Sequence, residues 1–271
     1  MTKICLVTSA EGPRLKQRQE LFDKLKAENI FQSDTVINIK SLSKKTHVLR
    51  PYAETLYFEL LQSQYFVEGV IQAEKEGNDA AIIGCYFDPG LEAAREVVKI
   101  PVLGIAEASM SVATLLTRKN RSIAAIAVAE KGILKTEDVL EKYGYGQYLI
   151  SHRPVRQIPI EMYINAAISG KRKDVEDAKA EFLKISRECV KDGAELIISA
   201  CGGLGPMMSV EGIFQVDGAQ VLDPVVCAVK MAETMVALQK FGIDVSRKLM
   251  YRPPLTEDFG KNREIFGFPG C

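Results

Sequence analysis

The sequence predicts an α/β protein of two pseudo-symmetric open parallel-sheet domains with a cleft between them, and three observations carry that prediction. Short apolar runs alternate with amphipathic helical stretches, the pattern of a parallel sheet covered on both faces. Two segments read as copies, EKEGNDAAIIGC closing at Cys85 and VKDGAELIISAC closing at Cys201, and one offset of 116 residues also relates Gly77 to Gly193. At 271 residues the chain exceeds the usual size of a single domain.

Lys3-Ile4-Cys5-Leu6-Val7 belongs to a strand over 3–8, and a helix follows over 13–28 because Pro13 suits a first helical turn. A second strand spans 34–39. After a polar loop a long helix runs from Tyr52 to Glu76, with Leu56, Leu60, Tyr65 and Val70 as inward candidates. The strand Ala80 to Gly84 delivers Cys85, and Asp88-Pro89-Gly90 breaks it and starts a helix through Arg95. Pro101-Val102-Leu103-Gly104 is a fourth strand, and 107–117 another helix. The second half repeats the plan, since Ile123 to Val128 copies the first strand and Gln220-Val221-Leu222-Asp223 the fourth, both at an offset of 119. The three-residue difference between offsets falls in loops, which absorb it best. No Pro/Gly/Ser linker separates the halves. The tail from Phe241 to Cys271 is less regular, carries Pro253-Pro254, Phe259, Phe266 and Phe268, and is expected to pack on its own domain or on a neighbouring subunit of a homo-oligomer.

Composition narrows the function. Lys plus Arg and Asp plus Glu both number 35, so no net field draws nucleic acid or an anionic membrane. The basic run Lys171-Arg172-Lys173 reads as a solvated helix start. No apolar run approaches the ~20 residues of a membrane span, and no secretory signal precedes the first strand, so a cytoplasmic protein is expected. The six cysteines never form a CxxC pair and suit a reduced compartment. His47 and His152 lack a second ligand at a metal-site spacing, so no zinc is expected.

Cys5, Cys189, Cys227 and Cys271 read as packing, because cysteine is among the most buried residue types. Cys85 and Cys201 differ, since both stand at the carboxyl ends of apolar strands, the edge where open α/β sheets bind ligands. Each precedes a turn and a helix start, where backbone N–H groups lower a thiol pKa and bind anions. Two thiols facing one cleft suit inversion at a carbon beside a carbonyl. Each sulfur would lie about 3–3.5 Å from that carbon, so the pair would stand roughly 6–7 Å apart. The N–H groups of Tyr86, Phe87, Gly202 and Gly203 are candidate donors to the developing enolate. Thr8, Ser9, Tyr86, Phe87 and Glu107 are candidate pocket residues by their place near strand ends, and Glu107 equally suits a helix cap. Gly202-Gly203-Leu204-Gly205-Pro206 is neither GxGxxG nor a Walker sequence and has no adjacent lysine.

The segment GCYFDPGLEAARE, followed by IPVLGIAEASMSVA, resembles the hydantoin racemase branch of the aspartate/glutamate racemase superfamily, whose first cysteine lies in a very similar Cys-x-x-Asp-Pro-Gly-Leu segment. The likeness covers most of the chain and is most specific over 84–113. It implies racemisation of a small molecule without a cofactor by two cysteines, which carry over to Cys85 and Cys201. It also implies a two-domain fold whose last helix returns to the first domain, giving 1–117 with 223–271 and 118–222. The chain departs from that pattern at Thr8-Ser9-Ala10, where the hydantoin enzymes have an Asn-Pro-Asn, and after the second cysteine. Both departures imply different substrate contacts. Decarboxylases and cis-trans isomerases share the scaffold, and a non-catalytic binding protein of two lobes remains a further alternative.

Overall fold

The computed structural model describes residues 1–10, 13–41, 55–117, 122–169, 171–254 and 256–268. The expected helix start at Tyr52, His47 and Cys271 lie outside them. In chain order the first half runs β1 (Thr2–Thr8), α1 (Pro13–Ala27), β2 (Thr35–Ser41), α2 (Leu56–Lys75), β3 (Ala80–Ile83), α3 (Leu91–Val97), β4 (Val102–Gly104) and α4 (Ile105–Leu116). The second half runs β5 (Ile123–Val128), α5 (Glu130–Lys142), β6 (Val155–Ile158), α6 (Ile160–Ser169), α7 (Arg172–Lys191), β7 (Leu196–Ser199), α8 (Leu204–Val210), β8 (Gln215–Val216), β9 (Ala219–Leu222) and α9 (Pro224–Phe241), and α10 (Thr256–Ile265) follows.

The two sheets have one plan. The first has the order β2-β1-β3-β4 and the second β6-β5-β7-β9-β8, so β1 and β5 occupy equivalent places, as do β3 and β7. Pairing is parallel throughout except for β8 against β9. That exception is a hairpin closed by Asp217 (φ 46°) and Gly218 (φ 91°), an Asp-Gly pair of the kind a two-residue turn with both central φ positive requires. The central strands β1, β3, β5 and β7 are buried on both faces, with Ile4, Leu6, Ile82, Ile123, Leu196 and Ile198 in one continuous core. Helix α9 leaves β9 in the second sheet and packs on α4, β1, β3 and β4 of the first half.

Two inward candidates on α2 are corrected. Leu56 is 77% exposed and Leu60 65% exposed, while Phe66, Val70 and Ile71 carry the contact with the sheet. In a right-handed βαβ unit the helix runs back from the carboxyl edge, so the first turns of α2 lie beyond the strands and meet no sheet face. Helical periodicity says which residues share a face, not how far the opposing sheet extends.

The duplicated halves exchange one capping carboxylate. Asp223 caps α9 itself, accepting the N–H groups of Val225 and Val226 ahead of Pro224 in the first turn. The equivalent residue before α4 is Gly104, whose added Cβ would collide with the Asp88 carboxylate. Asp88, at φ 44°, supplies the missing cap from the turn after Cys85, accepting the N–H groups of Ala106 at 3.1 Å and Glu107 at 3.0 Å. The cysteine turn and the helix behind it are thereby one rigid piece.

Candidate active site

Strands β3 and β7 end at Ile83 and Ser199, and two residues later each chain segment presents its cysteine. Cys85 and Cys201 line one cavity of about 190 Å³ at the carboxyl edges of both sheets, together with Ser9, Arg14, Arg18, Glu59, Phe87, Lys135 and Tyr163. As residues, Cys85 and Cys201 are both partly exposed, whereas Cys5, Cys189 and Cys227 are buried. Burial pushes the thiols of those three up to about 11, 11 and 12, respectively, and none of them lines the cavity.

The surroundings of the two sulfurs repeat with the fold. The Gly203 N–H points at Cys201 Sγ from 3.5 Å, and the Phe87 N–H points at Cys85 in the same two-residue turn. Tyr163 adds a hydroxyl to Cys201. The expectation that helix starts lower both thiols fails at Cys85, which burial pushes up to about 12 against the opposing effects of the Phe87 N–H and the Arg18 charge. Helix α3, which follows Cys85, has only seven residues, too short to offset desolvation of its thiolate.

The structure brings Ser9, Tyr86, Phe87, Gly202 and Gly203 to the cavity wall, Tyr86 by its backbone, and places Thr8 and Glu107 elsewhere. Thr8 is fully buried, and its Oγ1 accepts the Ala10 N–H and the Arg18 guanidinium, so it positions Arg18 rather than touching the cavity. The Tyr86 ring, 2% exposed, packs into the core beside Ile105 and Met110, leaving its segment of backbone at the cavity wall. Glu107 forms a two-pronged ion pair with Arg95 and lines a separate cavity of about 440 Å³ with Tyr143 and Tyr251. Its N–H, rather than its carboxylate, serves the cap of α4, because the Asp88 carboxylate already fills that position.

Sequence reading missed the charged and phenolic lining: Arg14 and Arg18 on α1, Glu59 on α2, Lys135 on α5 and Tyr163 on α6. Lys135 pairs with Glu59 and places its Nζ 4.3 Å from the centre of the Phe87 ring, tying α5 to the first cysteine turn. The i,i+4 spacing of Arg14 and Arg18 was the available signal.

Asp88 also accepts the Tyr143 hydroxyl at 2.9 Å, a link from the end of α5 to the first cysteine turn. Burial outweighs these donors and raises its pKa from 3.8 to about 7. Between those values the unfolded carboxyl is ionised while the folded one holds its proton, so its contribution to stability is full below the lower value and is lost as pH rises through the upper. Asp223, raised to about 6 by burial, acts in the same sense. We expect the melting temperature of the Asp88→Asn variant to fall less steeply than that of the parent between pH 5 and 8, as read by calorimetry. Parallel curves would show that Asp88 stays ionised throughout.

The crystal structure of allantoin racemase from Pseudomonas fluorescens has the same fold, with a TM-score of 0.71 over 93% of this chain and 97% of that one at 21% identity. The class defined by fold and cleft is thus the two-sheet α/β architecture on which solved racemases are built. Residues 47–232 match the family model described as Asp/Glu/Hydantoin racemase. The hydantoin racemase of Pseudomonas sp. (strain NS671) is 32% identical over 216 residues, covering 79% of this chain and 80% of its own. The hydantoin racemase of Rhizobium meliloti is 34% identical over 167 residues, covering 60% and 63%. The chain belongs to the Asp/Glu/Hydantoin racemase family, in its hydantoin racemase branch, and is an isomerase of the racemase type.

Proposed function

We propose that the chain inverts a carbon acidified by a neighbouring carbonyl, in a hydantoin-like ring or an amino-acid derivative, with Cys85 and Cys201 alternating as base and acid and without a cofactor. The observation that carries this reading is the pair of thiols at equivalent strand ends of one cavity, each met by the N–H two residues on. One thiolate takes the proton from one face of the carbon, and the freed electron pair moves onto the carbonyl oxygen as an enolate. The thiol on the other face then returns a proton to carbon, leaving the product inverted and the roles of the sulfurs exchanged. A hydrogen-bond donor to the enolate lowers its energy as charge develops, and the backbone of the two cysteine turns is placed to supply one. We assign the first proton donor to Cys85, whose thiol burial pushes up, and the first base to Cys201, which the Gly203 N–H meets at 3.5 Å beside Tyr163 and Arg18.

In this reading the lobes divide as 1–117 with 223–271 and 118–222, supported by the packing of α9 on the first sheet. A reducing, cytoplasmic setting suits a pair of working thiols. No helix among the described residues is long and apolar enough to cross a membrane.

The test is proton NMR in D2O with single enantiomers of 5-substituted hydantoins and of amino acids. The expected result is loss of the stereocentre proton signal in step with loss of optical rotation. Release of carbon dioxide, or exchange of no substrate, would replace the reading by decarboxylation or by ligand binding.

A further inference from the structure

Arg14 and Arg18 are placed against several physical preferences at once. They stand i,i+4 on α1, where like charges repel. Arg14 lies in the first turn, where a cation opposes the helix dipole, and no acidic residue offsets it there. Arg18 is only 8% exposed, and burial disfavours its charge. Among the described residues its hydrogen bond goes to the Thr8 hydroxyl, a neutral acceptor, although a guanidinium carries five N–H donors.

Neither arginine has a carboxylate within ion-pair reach among the described residues. In the thiol cavity Glu59 is held by Lys135, and Asp223, near enough to feel the Arg18 charge, is spent on the α9 cap and the Ser209 hydroxyl, so no carboxylate among the described residues is left to pair with either arginine. A second cavity of about 240 Å³ shares Arg14, Arg18, Tyr163 and Gly203 with the first and continues between α1, α6, α7 and α8 past Ala167, Val175 and Met207. Its own carboxylates are engaged elsewhere, Glu211 by Arg172 and Lys179 and Glu20 by Lys16. Arg18 therefore stands at the junction of two connected spaces, one holding the thiols and the other roomy enough for a substituent.

The geometry points to a carboxylate subsite formed by Arg14 and Arg18, so that the substrate of this cleft carries an anionic group on the substituent of its stereocentre. This rests on the racemase reading of the same cavity. A carboxylate there would accept paired, charge-assisted hydrogen bonds from the guanidinium forks. It would also fix which face of the reacting carbon meets each sulfur, because the ring and the anchored substituent together define an orientation. A carboxylate on the side chain of a hydantoin and one on an open N-carbamoyl amino acid share this chemistry, and the substrates of the test separate them.

The experiment compares 5-(2-carboxyethyl)hydantoin with its uncharged amide, and N-carbamoylglutamate as the open-chain acid, by stereocentre exchange in D2O. The ring acid is expected to exceed the amide in kcat/KM by about 100-fold, since a site built for a charged acceptor rejects the analogue lacking it. Arg14→Gln and Arg18→Met are each expected to compress that ratio at least tenfold. Arg14 is partly exposed, so its variant keeps the test intact should the Arg18 variant not fold. Binding of the two acids to a Cys85→Ser/Cys201→Ser double variant, measured by calorimetry with and without Arg14→Gln, reads the subsite independently of chemistry. Preference for the open-chain acid in exchange and binding would support the subsite and assign it an amino-acid derivative. Equal turnover of acid and amide, or a ratio untouched by Arg14→Gln, would overturn the subsite while leaving the racemase. Absence of exchange alongside Arg14-dependent binding would overturn the racemase and keep the subsite.

Discussion

Replacing either cavity thiol by a hydroxyl, as Cys85→Ser or Cys201→Ser, is expected to lower the rate of inversion by at least about 10³-fold, since removing a proton-transfer group at an acid–base centre costs of that order. A serine hydroxyl is far less acidic than a thiol and cannot serve as base near neutral pH. The two variants are expected to fail in opposite ways. With Cys201 left alone, the enantiomer whose C–H faces Cys201 still loses its proton and regains a deuteron from the same side, so it exchanges without inverting. With Cys85 left alone, the other enantiomer does so. Deuterium incorporation into each pure enantiomer, followed by NMR in both variants, reads this directly. Incorporation into the same enantiomer in both variants would show that the sulfurs do not take opposite faces. The asymmetry of the surroundings adds an expectation: Cys201, with a backbone N–H and the Tyr163 hydroxyl, should retain faster one-sided exchange than Cys85, whose free thiol burial pushes up to about 12.

The place of the two cysteines just past strand ends was legible because duplication repeats their context, and because short β-branched apolar runs bounded by Gly on one side and Gly-Cys or Ala-Cys on the other suit buried strands reaching a sheet edge. The repetition also announced that the two sheets share one plan, though not the order of their strands. The rest of the cavity comes from helix faces that no local pattern distinguishes from solvated surface. Arg18 and Tyr163 are far apart in sequence and converge on Cys201 only once α1 and α6 pack together. Glu107 was misplaced because the first turn of a helix offers several directions, and the Asp88 carboxylate had already taken the one toward the strand ends. Leu56 and Leu60 were misplaced because the sheet stops before the helix does. The hairpin at Asp217-Gly218 was written in the sequence as a turn signature, and two-residue strands beside it are too short to show a period.

How far apart the two sulfurs stand is governed by backbone, and this makes Gly202→Ala the more revealing single change. A Cβ added at Gly202 would run into the carbonyl oxygen of Gly84, the residue before Cys85. That obstacle is main chain at the end of β3, whose own amide is held by the Val7 carbonyl at 2.8 Å, so it cannot swing aside as a side chain would. The two cysteine turns must separate instead. Proton transfer to and from one carbon tolerates little error in position, and a misplacement of about 1 Å costs on the order of 100-fold in rate. We therefore expect Gly202→Ala to lower kcat about 100-fold with a cooperative thermal transition preserved, because the displaced atoms lie at the cavity wall rather than in the sheets. The contrasting control is Gly132→Ala on α5, where the nearest atom to an added Cβ is the Ala127 methyl at an ordinary 3.4 Å. Alanine there is a better helix former than glycine by about 1 kcal/mol, so the control should melt higher and keep its kcat. Loss of activity in Gly202→Ala together with collapse of its thermal transition would mean that the contact between the cysteine turns holds the fold, and a kcat unchanged from the parent would mean that the cleft works at a wider separation than this contact sets.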